Sequence, residues 1–353
     1  KSLALPWAEE QNFSLGLYAR ERAGEVPGRV VSSAKSWLCH DGIDRRAPLL
    51  PPQSEDDTAK KISPLEVISR LLSHLKNAWD HAFPAAPFVE QEVLITVPAS
   101  FDPSARQLVQ EAADSAHYPQ TLVLLEEPQA AFYAWLKQEE ESWRTQLKVG
   151  DHVLVVDIGG GTSDFTLISV QEEGGDLSLE RMAVGSHLLL GGDNMDLALA
   201  YHAKAIFEEE GHSLDDWQFS QLIAKARKIK ECLLGENAPE KVDVTLQGRG
   251  SGLIAGSLKV SLEREKVQAV LVDGFIPEIA PTEQSPIEKR AGIQEIGLPF
   301  AQDPRISAQL AKFLSMTGKG KEGSTNDFIV PNAVLFNGGT MKADALRERI
   351  LSL

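Results

Sequence analysis

The spacing of apolar residues predicts a long helix near residue 63. Between Ser63 and Trp79 these residues recur at intervals of three and four, which is typical of an amphipathic helix. Ser63-Pro64-Leu65-Glu66 has the pattern of a capping box with proline at the first helical position. We expect one apolar stripe of this helix to pack in the core, formed by Leu65, Ile68, Leu72, Leu75 and Trp79.

Helices and strands alternate from this helix to residue 137. "EVLITVP" predicts a strand, "DPSARQLVQEAADSAH" a helix capped by Asp102, and "TLVLLEEP" a strand that leads into a helix at Pro128. This order favours an α/β arrangement with parallel strands. Residues 1–61 show no comparable periodicity, and we expect them to be irregular.

The stretch "VVDIGGGTSDFTLISV" sets three consecutive glycines between two apolar runs. The first run, Val153–Val156, is continuously apolar and predicts a strand buried on both faces. The second run alternates, with Phe165 and Leu167 on one face and Thr166 and Ile168 on the other. Glycine permits positive φ and lets a ligand approach the main chain closely. An ordinary tight hairpin would explain the glycines alone.

Three polar residues around the glycines favour a binding site. Asp157 ends the buried strand, Thr162 follows the glycines, and Asp164 comes two residues later. Carboxylates are rare at the end of a core strand unless they are paired. Exposed amides beside a hydroxyl and carboxylates suit a phosphate that arrives with Mg²⁺. The hairpin is therefore a candidate phosphate site.

The remaining pattern predicts a second α/β region. The charged stretch "KQEEESWRTQLKVGD" is the best candidate for a domain boundary. Beyond it we predict an antiparallel meander to Val184, a helix opened by "GGDNMD", a helix over 217–234, strands at 242–246 and 253–260, a helix at 262–279, a long loop at 281–304, a short helix at "RISAQLAKFLSM", and the strand "AVLFNGG" before a last helix.

Composition limits the class of protein. A length of 353 residues predicts about two domains. The formal charge of −16 argues against a general nucleic-acid or anionic-membrane binder. Cys39 and Cys232 are far apart, which argues against a disulfide framework, and no apolar run approaches the roughly 20 residues of a membrane span. We expect a cytoplasmic protein without nucleic-acid or membrane partners.

Several common motifs are absent or lack their context. Gly318, Gly320 and Gly323 fit G-x-G-x-x-G, but a predicted helix precedes them and polar residues surround them, so we predict a loop. The sequence contains no G-x-x-x-x-G-K-[ST], no G-x-S-x-G and no H-E-x-x-H. These absences argue against P-loop ATPases, α/β-hydrolases and zinc proteases, and they favour Mg²⁺ as any metal.

Segments along the chain together resemble the nucleotide-binding domain of the seventy-kilodalton heat-shock (HSP70, DnaK-like) chaperones, in the actin and sugar-kinase ATPase superfamily. "DIGGGTSDFTL" resembles the second phosphate hairpin of that family, and "LGGDNMD" resembles its L-G-G-x-D-x-D helix start. The other matching segments are "VLITVPASFDPSAR", "EEPQAAFYAW", which resembles the interdomain connecting helix, and "FNGGTMK", which resembles the adenosine motif.

The resemblance implies an α/β, two-lobed, actin-like ATPase fold of the ribonuclease H-like type. We expect lobe I at residues 1–147 and lobe II at 148–353. The first phosphate hairpin of the family, D-x-G-T-T, does not occur in the sequence. We therefore expect lobe I to be incomplete at its N-terminus, and the chain to be a fragment that hydrolyses ATP poorly or not at all.

The resemblance also implies the residues of a Mg-ATP/ADP site. Asp157 and Glu127 would orient the attacking and metal-bound waters, and Lys35 in "VVSSAKSWL" would contact the γ-phosphate. Asp157 and Asp164 would hold Mg²⁺ through water, and Thr162 would be catalytic as well as phosphate-binding. The nucleotide would be bordered by Gly159, Gly160, Gly161, Thr162, Gly192, Lys230, Gly338, Gly339 and Lys342.

Two of these residues have simpler explanations. Lys35 fits an ordinary solvated lysine equally well, because lysine is usually exposed. Glu127 would favour the dipole at the start of a helix. The adenosine helix of the family reads E-x-x-K-x-x-x-S, whereas this chain has Arg227, Lys230 and Leu234. Adenine and ribose contacts are therefore less well supported than phosphate contacts.

The resemblance extends to partners and leaves alternatives open. Pro98 and Arg106 would belong to a switch that reports the nucleotide state to a peptide-binding domain of the same parent protein. A J-domain co-chaperone and a nucleotide-exchange factor would be further partners in protein folding and the stress response. The alternative is a non-hydrolysing interaction module with the same fold. A sugar or acetate kinase is a third hypothesis, and the chaperone-like segments disfavour it.

Overall fold

The computed structural model describes residues 3–23, 25–40, 42–52, 60–174, 176–248, 256–280, 283, 303–318 and 328–353. Most of the predicted loop at 281–304, and both Gly320 and Gly323, lie outside these residues. The chain divides into two compact units between Glu127 and Pro128. The predicted lobe boundary at residue 147 stays a prediction.

The first unit has α/β structure with parallel strands, as predicted. Strands β1 and β2 pair in parallel, with Leu94 opposite Val123 and Val97 opposite Glu126. The elements of this unit are α1 (Leu17–Arg22), α2 (Ala34–Cys39), α3 (Pro64–Ala82), β1 (Leu94–Val97), α4 (Pro103–Ser115) and β2 (Val123–Glu126), with 3-10 turns at Pro27–Arg29 and Phe88–Glu90.

The expectation that residues 1–61 are irregular is wrong in part. Helices α1 and α2 are each six residues long, too short to show a repeating apolar pattern. Trp37 and Leu38 of α2 are nonetheless buried, and Leu38 joins a core cluster with residues of β1 and α4.

The apolar stripe of α3 is buried only over its first half. Leu65 and Ile68 pack against two core clusters, and Leu72 is buried beside Ala112 and Ala113 of α4. Leu75 and Trp79, predicted as core, are 58% and 36% exposed. The ring of Trp79 instead packs 4.5 Å from that of Phe83, and its Nε1 donates a hydrogen bond to Ala86 O. Local contacts after the helix thus replace the expected core contacts.

The predicted cap of α3 is present and can be tested. The Ser63 hydroxyl accepts a hydrogen bond from the Glu66 N–H at 3.0 Å. Ser63→Ala is expected to lower the free energy of unfolding by about 1 kcal/mol, because that N–H loses its acceptor. Ser63→Asp keeps an acceptor and should change the free energy of unfolding by only about a few tenths of a kcal/mol. Urea unfolding compares the variants, and equal stability of the alanine variant would contradict the cap.

The second unit contains a four-stranded sheet of order β5-β4-β3-β8 among the described strands. Strands β3, β4 and β5 are antiparallel, as predicted for the meander, and β8 is parallel to β3. The elements of this unit are α5 (Glu127–Glu139, whose first residue belongs to the first unit), α6 (Trp143–Gln146), β3 (His152–Ile158), β4 (Ser163–Glu173), β5 (Asp176–Val184), α7 (Gly192–Glu209), α8 (Asp216–Leu234), β6 (Lys241–Gln247), β7 (Ser257–Glu263), α9 (Arg264–Gln268), α10 (Ile306–Gly318), β8 (Ala333–Asn337) and α11 (Asp344–Ser352).

Both faces of β3 are buried, which explains its continuous apolar run. Leu154 and Val156 join the large cluster that includes residues of α7 and α8. Val153 and Val155 join a second cluster with Phe132 of α5. Phe165 and Leu167 of β4 lie in the first cluster and Ile168 in the second, as the alternation predicts.

One helix boundary differs from the predicted one. In the second compact unit, Leu147 and Phe132 pack with Val153 in one cluster. The helix predicted at 262–279 begins later, since β7 extends to Glu263, and after α9 it continues as a π-helical segment, Ala269–Asp273.

Among the described residues, no helix combines the length and apolar character that spanning a bilayer requires.

Candidate functional site

The glycine run forms the loop of the predicted β3–β4 hairpin. The Gly159 N–H donates to Thr162 O at 2.9 Å and closes the loop. None of Gly159, Gly160 and Gly161 has positive φ. A Cβ at Gly159 would meet no atom closer than 3.8 Å. At Gly160, in contrast, a Cβ would lie 3.1 Å from Asp193 Oδ1. Packing against Asp193 thus favours glycine at residue 160, and the open space beside Gly159 is compatible with close approach of a ligand.

The carbonyl groups of the loop hold it against α7. Gly159 O accepts from Gly192 N–H at 3.0 Å and from the Thr340 hydroxyl at 2.8 Å. Gly160 O accepts from Asp193 N–H at 2.7 Å. These bonds fix the orientation of the loop from its carbonyl side.

The amide groups of the same loop are available as donors. Within the described part of the chain, nothing accepts a hydrogen bond from the N–H of Gly160, Gly161 or Thr162. Successive main-chain N–H groups in a turn can form an anion-binding concavity. The loop can therefore receive a phosphate without breaking an internal hydrogen bond.

Two carboxylates stand opposite each other at the root of the hairpin. Asp157 and Asp164 are register partners on adjacent strands. Asp157 Oδ2 accepts from Asn337 Nδ2 at 2.8 Å, and buried Asp164 Oδ1 lies 2.9 Å from His187 Nδ1. The antiparallel pairing thus brings the two predicted metal-binding residues together.

This pair fits Mg²⁺ that arrives with a phosphate. Among the described residues, no group of three or more His, Cys, Asp or Glu could hold a metal by itself. Mg²⁺ keeps several waters and binds through one or two carboxylates and the phosphates of its ligand. Asp157 and Asp164 supply oxygen donors of that number and type.

Gly338 brings the adenosine-type motif against the end of β3. Its φ of 86° and ψ of 152° lie in a region that is essentially restricted to glycine. A Cβ there would overlap Ile158 O and lie 2.8 Å from Asp157 Oδ1. A Cβ at Gly339 would meet nothing within 4 Å. The backbone conformation and the close packing therefore require glycine at residue 338, whereas the space beside Gly339 is open.

A cluster of charges joins the start of α7 to α8. Buried Lys230 Nζ lies 2.7 Å from Gly192 O and 2.6 Å from Asp196 Oδ1. Arg227 Nη2 contacts Asp193 Oδ1 at 2.6 Å, and its Nε lies 3.4 Å from Asp196 Oδ2. Burial raises the pKa of Asp196 above its ordinary value, against the opposing charges of Lys230 and Arg227.

The other positions of the predicted adenosine region have different environments. Leu234, where the family has serine, is 1% exposed and belongs to the large core cluster. Lys342 is exposed and is the last residue of the 3-10 turn Gly339–Lys342. Gly192 is tightly enclosed, since a Cβ would lie 2.6 Å from Thr340 Oγ1. Nucleotide contacts of Lys230, Gly192 and Lys342 remain predictions.

In the first unit the two other predicted catalytic residues form an ion pair. Lys35 Nζ of α2 lies 2.8 and 3.0 Å from the two carboxylate oxygens of Glu127, although 92 residues separate them. The side chain of Glu127 is largely buried. Lys35 is therefore not an isolated surface lysine.

One of the two predicted switch residues contacts the residue that precedes Glu127. Arg106 Nη2 of α4 contacts Glu126 Oε1 at 2.8 Å, one residue before Glu127. Pro98 is buried directly after β1. A switch role for both residues stays a prediction.

Sequence reasoning missed several residues that shape the site. Asn337, His187, Asp193 and Thr340 all contact the hairpin or its carboxylates. Asn337 and Asp193 do lie in the quoted motifs "FNGGTMK" and "LGGDNMD". Their partners could not be predicted from the sequence. Asn337 and Asp157, for example, are 180 residues apart.

Known proteins match the segment that carries the hairpin. A protein-family model described as Hsp70 protein matches residues 46–290, a range that includes the hairpin, α7 and α8. Lys35 and Gly338 lie outside that range.

Curated relatives are chaperones of greater length. Chaperone protein HscA of Pectobacterium carotovorum subsp. carotovorum is 31% identical over 249 residues, which are 67% of this chain and 37% of that protein. Chaperone protein HscA of Xenorhabdus nematophila is 30% identical over 253 residues, 68% of this chain and 38% of that protein. Chaperone protein HscA homolog of Acinetobacter baylyi is 33% identical over 171 residues, which are 48% of this chain and 25% of that protein. The chain thus matches less than two fifths of the length of each relative.

Proposed function

The chain belongs to the HSP70 family and carries its nucleotide-binding domain, a chaperone ATPase domain, and from this premise we propose that it binds Mg-ATP and Mg-ADP at the 159–162 hairpin. The observation that carries the proposal is the set of three main-chain N–H groups at Gly160, Gly161 and Thr162. Their hydrogen bonds would go to the β- and γ-phosphates. The mixed α/β structure agrees with the actin-like ATPase fold of the family.

The acidic residues take separate roles in this proposal. Asp157 and Asp164 would hold Mg²⁺ through water, and the bound metal would neutralise part of the phosphate charge. Asn337 fixes the carboxylate of Asp157, and His187 contacts that of Asp164. Each carboxylate is thereby oriented before a ligand binds.

We assign ATP hydrolysis in the whole protein to Asp157, Glu127, Lys35 and Thr162. Hydrolysis of a phosphoanhydride depends mainly on positioning and charge stabilisation. Glu127 and Asp157 would orient the attacking water, and Lys35 would contact the γ-phosphate. The short ion pair between Lys35 and Glu127 supports a shared task for these two residues.

Coupling to partners is also part of the proposal. The Arg106–Glu126 pair lies next to Glu127 and would transmit the nucleotide state towards a peptide-binding domain of the parent protein. A J-domain co-chaperone and a nucleotide-exchange factor would act on the same cycle. We place the protein in the cytoplasm, in agreement with the free cysteines Cys39 and Cys232.

Calorimetric titration of the purified chain with ATP and ADP tests nucleotide binding. Both are expected to bind in Mg²⁺, and Asp157→Asn should weaken Mg-ATP binding by at least about tenfold, or about 1.4 kcal/mol, because a metal-orienting charge is lost. Glu172→Gln changes an exposed carboxylate of β4 outside the site and should have no effect. Absence of binding by the unmodified chain would contradict the proposal.

One observation favours a second function. Leu234 is buried in the core and Arg227 is engaged with Asp193 and Asp196, so two positions of the adenosine helix differ from the family pattern. A non-hydrolysing interaction module with the same fold would tolerate these differences. Failure to bind any nucleotide, with the fold intact, would favour that alternative.

A further inference from the structure

Asp193 places a negative charge at the tip of the candidate phosphate hairpin. Its N–H donates to Gly160 O at 2.7 Å, which fixes the residue beside the loop. Its Oδ1 and Oδ2 lie 3.1 and 3.3 Å from the position a Cβ at Gly160 would occupy. The carboxylate therefore stands against the part of the loop whose N–H groups are available for a ligand.

This charge opposes the binding of an anionic ligand. A carboxylate a few ångströms from a phosphate repels it, and the repulsion grows where protein replaces water. Asp157 and Asp164 already occupy the root of the same hairpin. The nucleotide would bring Mg²⁺ to those two carboxylates, but Asp193 lies at the opposite end of the loop and needs a cation of its own.

Arg227 is placed to supply that cation. Its Nη2 lies 2.6 Å from Asp193 Oδ1 and 3.5 Å from the same Cβ position at Gly160. Burial would lower the pKa of Arg227, but Asp193 and Asp196 raise it above the ordinary value, so the guanidinium stays charged. The side chain is 34% exposed.

The neighbouring cation serves a different group. Lys230 is buried, with Nζ directed to Asp196 and Gly192 O. It stabilises the start of α7, whereas Arg227 contacts Asp193. An acid at residue 227, as in the family pattern, would face both Asp193 and Asp196. The arginine thus reverses the charge at one position and creates an ion pair at the hairpin.

We propose that Arg227 is a positioning residue that holds and neutralises Asp193 at the hairpin tip and thereby determines the preference of the site for nucleotides with a phosphate chain over uncharged nucleosides. The inference rests on the proposed function, because it concerns the same phosphate site. Arg227 acts through Asp193. The negative charge of Asp193, not the loss of an adenine contact, is the reason for weaker binding when Arg227 is removed.

Competition binding with ATP and adenosine tests the inference. Arg227→Ala is expected to weaken Mg-ATP binding about tenfold, equivalent to about 1.4 kcal/mol, and to leave adenosine binding unchanged. Arg227→Lys keeps the charge and should retain most of the ATP affinity. Arg227→Ala combined with Asp193→Asn should recover it, since the repulsive charge is gone as well. Thermal unfolding verifies that each variant is folded.

Three results would overturn the inference. These are an unchanged ATP affinity of Arg227→Ala, an equal loss for ATP and adenosine, and a double variant as weak as the single one. If Arg227→Ala does not fold, Arg227→Gln is compared with and without the second substitution Asp193→Asn, and an equal loss of ATP affinity in both cases contradicts the proposal. If the unmodified chain binds no nucleotide, the proposed function fails first, and the two failures are distinguishable.

Discussion

Gly338→Ala is expected to lower the free energy of unfolding by about 3 kcal/mol, because the new Cβ would overlap the main-chain oxygen of Ile158. The backbone at this position adds strain, since its φ of 86° and ψ of 152° are essentially confined to glycine. Movement of the chain to relieve the overlap would also displace Asn337 from Asp157. Urea unfolding measures the loss of stability.

Gly339 offers a matched comparison one residue away. A Cβ there meets nothing within 4 Å, and the residue does not have positive φ. Gly339→Ala should therefore change the free energy of unfolding by about 0.5 kcal/mol or less. Equal stability of the two alanine variants would show that Gly338 is not the tight contact between β8 and β3.

Lys230→Met is expected to destabilise the second unit by about 3 to 5 kcal/mol, because it leaves Asp196 buried without its closest cation. Methionine fills a similar volume, so the lost charge dominates the effect. Lys230→Met combined with Asp196→Asn should recover much of the loss, since no buried charge remains without a partner. Urea unfolding of the three variants gives the coupling between the two sites.

The destabilisation by Lys230→Met should depend on pH. Burial raises the pKa of Asp196 in the folded chain, and the charge of Lys230 opposes that rise. Without Lys230 the folded-state pKa rises further. Between about pH 3.8, the ordinary pKa of an aspartate, and the raised folded-state pKa, the folded chain binds more protons than the unfolded chain. The free energy of unfolding therefore falls as pH rises through this window. The deficit should be larger at pH 8 than at pH 5, and an equal deficit at both would contradict this account.

The hairpin was predictable because its information is local. The continuous run at 153–156 and the alternation after Ser163 report burial of neighbouring residues directly, and both are confirmed. Asp157 and Asp164 were expected together because a hairpin pairs residues close in sequence. The sequence left open why glycine is needed, and the structure has positive φ at Gly338 but at none of the three loop glycines. Sequence alone cannot distinguish conformational need from the need for open space.

Contacts between residues far apart in the sequence could not be predicted from the sequence. The helical spacing of Leu75 and Trp79 is the same as that of Leu72, but only Leu72 meets a partner helix. The Asn337–Asp157 bond depends on the parallel pairing of β8 with β3. The Arg227–Asp193 pair depends on how α8 packs against α7. In each case a periodic or motif pattern identifies the residue, and the tertiary fold decides its partner.

The most direct measurement is the effect of Mg-ATP on the backbone amide resonances of the isotopically labelled chain. We predict saturable shifts of the Gly160, Gly161 and Thr162 amides, with smaller shifts at strands of the sheet distant from the hairpin. Adenosine, which has no phosphate, should leave these three amides unchanged. Binding of Mg-ATP that leaves all three in place, or shifts only amides remote from residues 157–164, would contradict the account.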